Sequence, residues 1–335
     1  MIRSLIRGTG KFLPPRIVTN HEMAQWMDTS DEWIRQRSGI EQRHWVSEEG
    51  GVGPSDLGLE AAKTALQKAN WTASDVDLII FATMTPDIYL PGAGCLMQHK
   101  LGLDDTPTLD IRQQCSAFMY GMTTADAYIR SGLARRVLFV GAEVHSTALD
   151  LSDRGRDTAV LFGDGAGAVC LEGVEETRPV GVISSVLHTQ GALANVLIVE
   201  APGCRFNPFI SHEAMDAGRH RPFMDGKTVF KTAVRRLPLV AKEALEKVGL
   251  MIADIDLFIP HQANYRINQA FQQAIGVSEE KVFHNVQKYG NTTAASIPIA
   301  LDEALSQGRI NPGDTVMFLG LGAGLTWGAV IYRFT

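Results

Sequence analysis

The 335-residue sequence has only four cysteines, Cys95, Cys115, Cys170 and Cys204, with no C-x-x-C pair and no regular spacing. That pattern excludes a disulfide framework and predicts free thiols in a reducing compartment. No apolar run approaches the ~20 residues needed to span a bilayer. In MIRSLIRGTGKFLPP the apolar run is too short for a signal peptide and is interrupted by Gly8 and Gly10. The expectation is a cytoplasmic protein with no membrane insertion. Positive charge is also scarce: the net charge of -6 argues against bulk nucleic-acid binding. FGDGAGAV (162–169) and LGLGAGLTWG (319–328) are rich in glycine. Neither reads as G-x-G-x-x-G opening a helix, and both run into apolar, strand-like segments, so a nucleotide loop is not indicated.

What the chain does contain is a repeat. Residues 61–80, AAKTALQKANWTASDVDLII, align without a gap to residues 240–259, VAKEALEKVGLMIADIDLFI, with nine identities in twenty positions. Both copies read as amphipathic helix, polar turn and short buried strand. RRVLFVG (135–141) is similar to DTVMFLG (314–320), and HKLGL (99–103) to QAIGV (273–277). The reading is a duplicated α/β unit with halves at 1–175 and 176–335, broken at the charged EGVEETRP. Strands such as LIIFAT and VMFLGL are almost wholly apolar, as in sheets covered on both faces. Ligands in α/β sheets gather outside the carboxyl ends of strands, so the two halves should share one cleft. Residues 188–226 have no repeat partner and read as a loop insertion that shapes substrate access.

Three residues at predicted strand ends carry chemistry: Cys115 in DIRQQCSAF, His261 in IPHQAN and Asn291 in YGNTTAAS. A cysteine where a strand gives way to a helix feels the positive end of the helix dipole, which lowers its thiol pKa and favours a thiolate nucleophile. His261 and Asn291, as neutral hydrogen-bond donors, suit a developing oxyanion. Each residue alone also fits a bland role: an inert buried thiol, a satisfied histidine, a turn asparagine. Too few ligand-type residues surround them for a metal site.

Together, DTSDEWIRQRSGI (28–40), DRG (153–155), FGDGAGA (162–168), PHQANYR (260–266), GNTTAASIP (290–298) and LTWGA (325–329) resemble the β-ketoacyl-acyl carrier protein synthase III family of the thiolase superfamily. The resemblance implies a thiolase-like five-layer αβαβα fold, a homodimer, and no metal or redox cofactor. It implies that Cys115 takes an acyl group from acyl-CoA, and that His261 and Asn291 stabilise the enolate formed when malonyl-acyl carrier protein loses carbon dioxide. The backbone N–H groups of Cys115 and Ala323 would form the oxyanion hole. Trp33 and Arg154 match the pair that sandwiches the CoA adenine, and Arg37 a basic residue near the phosphates. Thr29, Gly155 and Asn264 also fall in matched motifs assigned to the CoA site. Lys227, Lys231 and Arg235 recur on one helical face and, with Arg266, read as a basic landing patch for an acidic carrier protein, with a merely solvated face as the even alternative.

Three departures bear on the substrate. Arg112-Gln113-Gln114 replace the usual small residues before the cysteine, the glycine turn reads Gly322-Ala323-Gly324-Leu325, and Leu90 stands where the family often has an aromatic residue crossing the dimer interface into the acyl pocket. They leave the chemistry intact and put the primer in question. A degradative thiolase would carry a second cysteine in 319–328, and a chain-elongating ketosynthase a second histidine in place of Asn291. The alternatives are a specialised ketosynthase or acyltransferase acting on an unusual acyl group, and a noncatalytic acyl-CoA binder.

Overall fold

A computed structural model describes residues 1–47 and 49–335. The N-terminal half contributes β1 (Ile2–Phe12), α1 (Asp31–Ser38), α2 (Pro54–Ala69), β2 (Leu78–Ala82), β3 (Thr108–Ile111), α3 (Ala117–Arg130), β4 (Arg136–Glu143) and β5 (Gly165–Glu175). Its sheet runs β1-β5-β4-β2-β3, with β2 parallel to both neighbours and β5 antiparallel to both of its own. The C-terminal half contributes β6 (Gly181–Thr189), α4 (Gly226–Glu246), β7 (Leu257–Pro260), α5 (Tyr265–Ile275), α6 (Ser296–Ser306), β8 (Thr315–Gly322) and β9 (Thr326–Arg333), with sheet order β7-β8-β9-β6.

Strand for strand the halves repeat one topology. β2, β4, β5 and β1 correspond to β7, β8, β9 and β6, and the counterpart of β3 shrinks to a single parallel bridge between Phe258 and Val282. The recurring helix and strand of the sequence are α2–β2 and the end of α4 with β7. The charged break is shorter than the sequence suggests. Glu172 to Glu175 still pair with β1, because their alternate side chains can face solvent at the strand's end. The insertion likewise begins after Thr189, since His188 and Thr189 pair with Trp327 and Thr326. It is not bare loop: Leu197–Ile198 and Phe223–Met224 form a two-stranded ribbon, and His212–Asp216 a helical turn.

The layers follow from burial. α3 and α6 lie between the sheets, where Phe118, Met119, Met122, Ile297 and Leu301 meet Ile80 and Phe139 from one sheet and Ile259 and Phe318 from the other. α2 covers the outer face of the first sheet, and α4 and α5 that of the second. Both glycine-rich stretches place glycines in strands at close approaches. A side chain on Gly167 would fall 2.7 Å from the Ile299 backbone nitrogen, and one on Gly328 would fall 2.7 Å from the Val186 carbonyl oxygen. No described helix is long and apolar enough to cross a membrane.

His284, just past the Val282 bridge, shows how this packing treats ionisable groups. Its ring sits edge-on to Tyr265, both ring nitrogens are buried without a partner, and burial lowers its pKa to about 4 against the pull of Glu279. A histidine depressed this way contributes stability that is complete above 6.5 and is lost as pH falls toward 4, because the unfolded chain takes up the proton first. His284→Phe should therefore lose about 2 kcal/mol less than the parent between pH 7 and pH 5, measured by urea denaturation at both pH values. Equal losses would count against a neutral buried His284.

Candidate active site

Cys115, His261 and Asn291 line one cavity of about 1160 Å³, at the seam where the carboxyl ends of both sheets meet. Cys115 sits in a 3-10 turn, Gln114–Ser116, at the amino end of α3. His261 follows β7, and Asn291 follows Gly290, whose φ of 66° is easy only for glycine. Both His261 and Asn291 are buried.

The hydrogen bonds set what each group can offer. Asn291 Oδ1 accepts from the Thr293 backbone N–H at 2.9 Å, which leaves the amide nitrogen as the free donor. His261 Nδ1 lies 2.6 Å from Ser296 Oγ, while Nε2 is buried and unpartnered. Ser296 also accepts a long contact (3.4 Å) from the Gln262 N–H; with the Ser296 hydroxyl donating to Nδ1, the ring proton sits on Nε2. Burial lowers the His261 pKa to about 3, so it works as a neutral donor. Gln262 fastens the two loops together: its amide donates to the Pro260 and Phe283 carbonyls, and its oxygen accepts from Asn285 and Val286.

The thiol differs from the sequence expectation. Burial, reinforced by the Glu143 carboxylate, pushes the Cys115 pKa up to about 12, against its own N–H and the Thr293 hydroxyl. The amino end of α3 opposes the same desolvation but does not remove it. Glu143 is itself buried and held up at about 7 by burial, although Thr85, Met84, Thr83 and Ala294 all donate to it. The resting site therefore presents a protonated thiol beside two neutral donors.

Other anticipated residues divide. Trp33, Arg37, Asn264, Lys227, Lys231, Arg266 and Ala323 line the cavity. Arg37 and Arg156 lie 4.4 Å and 4.9 Å from the Trp33 ring centroid. Arg154 donates to Asp150 at 2.6 Å and to the Asp216 carbonyl at 3.1 Å. Gly155 is a packing glycine, with a side chain there falling 2.0 Å from the Asp150 carbonyl oxygen. Thr29 has a buried hydroxyl without a partner and lies off the cavity wall, as does Arg235. Asn264 caps α5 through the Arg266 N–H and donates to the Arg37 carbonyl, tying helix α1 to the site. Leu90 is 80% exposed and outside the cavity of its own chain, so a pocket contact from it requires a second copy. Among the described residues no cluster of His, Cys, Asp or Glu suited to a metal ion occurs.

The sequence reading passed over Arg156, Gln262, Ser296 and two glycines of β8. A side chain on Gly320 would strike His261 Cβ at 2.9 Å, and one on Gly322 would strike Cys115 Cβ at 2.7 Å and its backbone nitrogen at 2.9 Å. Bare backbone lets β8 lie directly against Cys115. Gly322→Ala is expected to displace Cys115 and slow its acylation at least tenfold, at a stability cost of about 1–3 kcal/mol. Intact-mass acylation and thermal melting check both; acylation at the parent rate would show that the seam tolerates a methyl group.

Comparison with known proteins agrees with this geometry. Residues 109–191 match the family model for 3-oxoacyl-[acyl-carrier-protein] synthase III, and residues 245–334 match the model for its C-terminal part. The 3-oxoacyl-[acyl-carrier-protein] synthase III of Aquifex aeolicus VF5 is 41% identical, with 99% of this chain and 100% of that one covered and a TM-score of 0.89. The β-ketoacyl-[acyl carrier protein] synthase III of Thermus thermophilus is 39% identical over 99% of each chain, with a TM-score of 0.90. The priming β-ketosynthase of the R1128 polyketide pathway is 31% identical over 99% of this chain and 96% of its own, with a TM-score of 0.88. With thiol, imidazole and carboxamide converging in a thiolase-like fold, the chain belongs to the 3-oxoacyl-[acyl-carrier-protein] synthase III family of condensing acyltransferases.

Proposed function

We propose that this chain condenses an acyl-CoA primer with malonyl-acyl carrier protein to give a 3-oxoacyl-acyl carrier protein, through an S-acyl Cys115 intermediate. The observation that carries the reading is one cavity holding a buried thiol, an unpartnered His261 Nε2 and an Asn291 amide whose oxygen is already bound. In the first half-reaction the adenine stacks at Trp33, with Arg37 and Arg156 as the nearby cations for phosphate. The Cys115 sulfur attacks the thioester carbonyl, the C–S bond to CoA breaks, and the thiol proton leaves with CoA. The N–H groups of Cys115 and Ala323 receive the carbonyl oxygen.

In the second half-reaction malonyl-acyl carrier protein loses carbon dioxide. His261 Nε2–H and Asn291 Nδ2–H donate to the enolate oxygen, and the enolate carbon attacks the acyl group. Departing Cys115 takes up one proton, which its high pKa favours. Lys227, which interacts with Asp225, stands with Lys231 and Arg266 at the cavity wall and Arg235 farther along α4, and this group suits an acidic carrier protein. The exposed run Ile88, Tyr89 and Leu90 supports a homodimer that covers it. A cytoplasmic setting suits the free cysteines.

A second reading, a priming ketosynthase of a specialised pathway acting on an unusual acyl group, is favoured by the R1128 relative and by Arg112-Gln113-Gln114. Intact-mass measurement across an acyl-CoA panel, followed by malonyl-acyl carrier protein or malonyl-CoA, separates the two. Short primers with chain extension support the first reading. Loading restricted to unusual acyl groups supports the second, and no loading of any donor would indicate a binder. Cys115→Ala should abolish loading and condensation together. Asn291→Ala should still load but condense about 10²–10³-fold more slowly; equal loss in both steps would remove the enolate role.

A further inference from the structure

Behind the thiol lies a second pair of polar groups that the steps above leave unused. His145, in the turn after β4, is fully enclosed, and its Nε2 sits 2.8 Å from Thr293 Oγ1. The turn that carries Thr293 packs against the turn that carries Cys115, and the Thr293 hydroxyl is the side-chain group that pulls the thiol pKa down against burial. Its backbone is held at φ 48°, a left-handed conformation that a β-branched residue adopts only when its surroundings compel it. Those surroundings are visible: the Thr293 N–H is fixed by Asn291 Oδ1, and the next N–H, of Ala294, points to Glu143. Gln114, directly before the thiol, is also left-handed, at φ 45°. Two of the three non-glycine residues with positive φ among those described thus bracket Cys115.

The His145 turn is equally fixed. Asp164 accepts from the backbone N–H groups of His145 at 2.7 Å and Ser146 at 3.0 Å, and from the Ser146 hydroxyl. The imidazole packs at 4.6 Å on Phe162. Burial lowers the His145 pKa to about 3, so the ring is neutral. A neutral ring that donates from Nε2 leaves the Thr293 hydroxyl proton free to point at sulfur.

We propose that His145 and Thr293 form a hydrogen-bonded relay in which His145 positions the Thr293 hydroxyl and Thr293 stabilises the negative charge on the Cys115 sulfur during acyl transfer. The inference rests on the reading of Cys115 as the acyl carrier. As the S–H and thioester C–S bonds break and the new S–C bond forms, the Cys115 proton leaves on CoA and Thr293 keeps its own. The groups acting on the sulfur are Glu143, which opposes its charge, and Thr293, which favours it; neutral His145 and His261 line the same cavity. Arg112 lies on the cysteine's own segment and lines the same cavity. Thr293 is then a catalytic residue and His145 a positioning residue.

The test is the pH profile of Cys115 alkylation by iodoacetamide, read by intact mass and independent of any acyl donor, with acyl-CoA loading measured in parallel. Thr293→Val should move the profile up by about one pH unit, a roughly tenfold slower alkylation at fixed pH. Its loading kcat should fall while KM for acyl-CoA holds. Thr293→Ser should restore most of the rate. His145→Leu should shift the profile in the same direction, and His145→Gln, which keeps a donor, should shift it less. An unmoved profile in Thr293→Val overturns the relay, as does Thr293→Ser as slow as Thr293→Val. Should the valine variant not fold, the His145 pair decides: equal profiles for leucine and glutamine overturn the relay. A parent protein that alkylates normally but loads no acyl-CoA would sink the condensing function while the alkylation series still decides the relay.

Discussion

The structure depends on one close approach: the bare backbone of β8 at Gly320 and Gly322 pressed against Cys115 and His261. Because neither glycine carries a side chain, the strand of one half and the helix start of the other meet without a gap. That contact closes one wall of the cavity at the seam between two similar halves. Each sheet alone ends in unremarkable loops; joined, they place a thiol from one half opposite an imidazole and a carboxamide from the other.

Desolvation at that seam then governs every ionisable group in reach. Burial holds His261 and His145 neutral and keeps Cys115 and Glu143 protonated to higher pH than usual. Neutral donors cost less to bury than charged ones, and they strengthen when an oxyanion appears in a water-poor site. Orientation is fixed by partners that face away from the substrate: Ser296 behind His261, the Thr293 N–H behind Asn291, and Gln262 between the two loops. Such groups leave the reacting face of each side chain unsatisfied until substrate arrives.

Much of this was legible in the sequence. The gapless repeat at 61–80 and 240–259 disclosed the duplication, since helix, turn and buried strand recur together. Cys115, His261 and Asn291 stood out because reactive residue types fell at the ends of apolar strands. Less legible were features set by side-chain direction. Arg156 lies over the Trp33 ring while Arg154 pairs with Asp150, and neither direction is visible in the sequence. His145 carries no signal in the sequence, because its partner Thr293 is 148 positions away. The thiol was misjudged for a similar reason: a helix start is visible in sequence, whereas enclosure by Glu143 and β8 is not.

The central claim is that the seam divides the labour, with Cys115 alone carrying the acyl group and His261 and Asn291 serving the enolate. It is tested most directly by labelled carbon dioxide release from malonyl-acyl carrier protein on pre-acylated His261→Ala protein in a single turnover. The account predicts full S-acylation of Cys115 with release of carbon dioxide slowed by about 10² or more. Release at the parent rate, or failure of the variant to acylate while still folded, would contradict it.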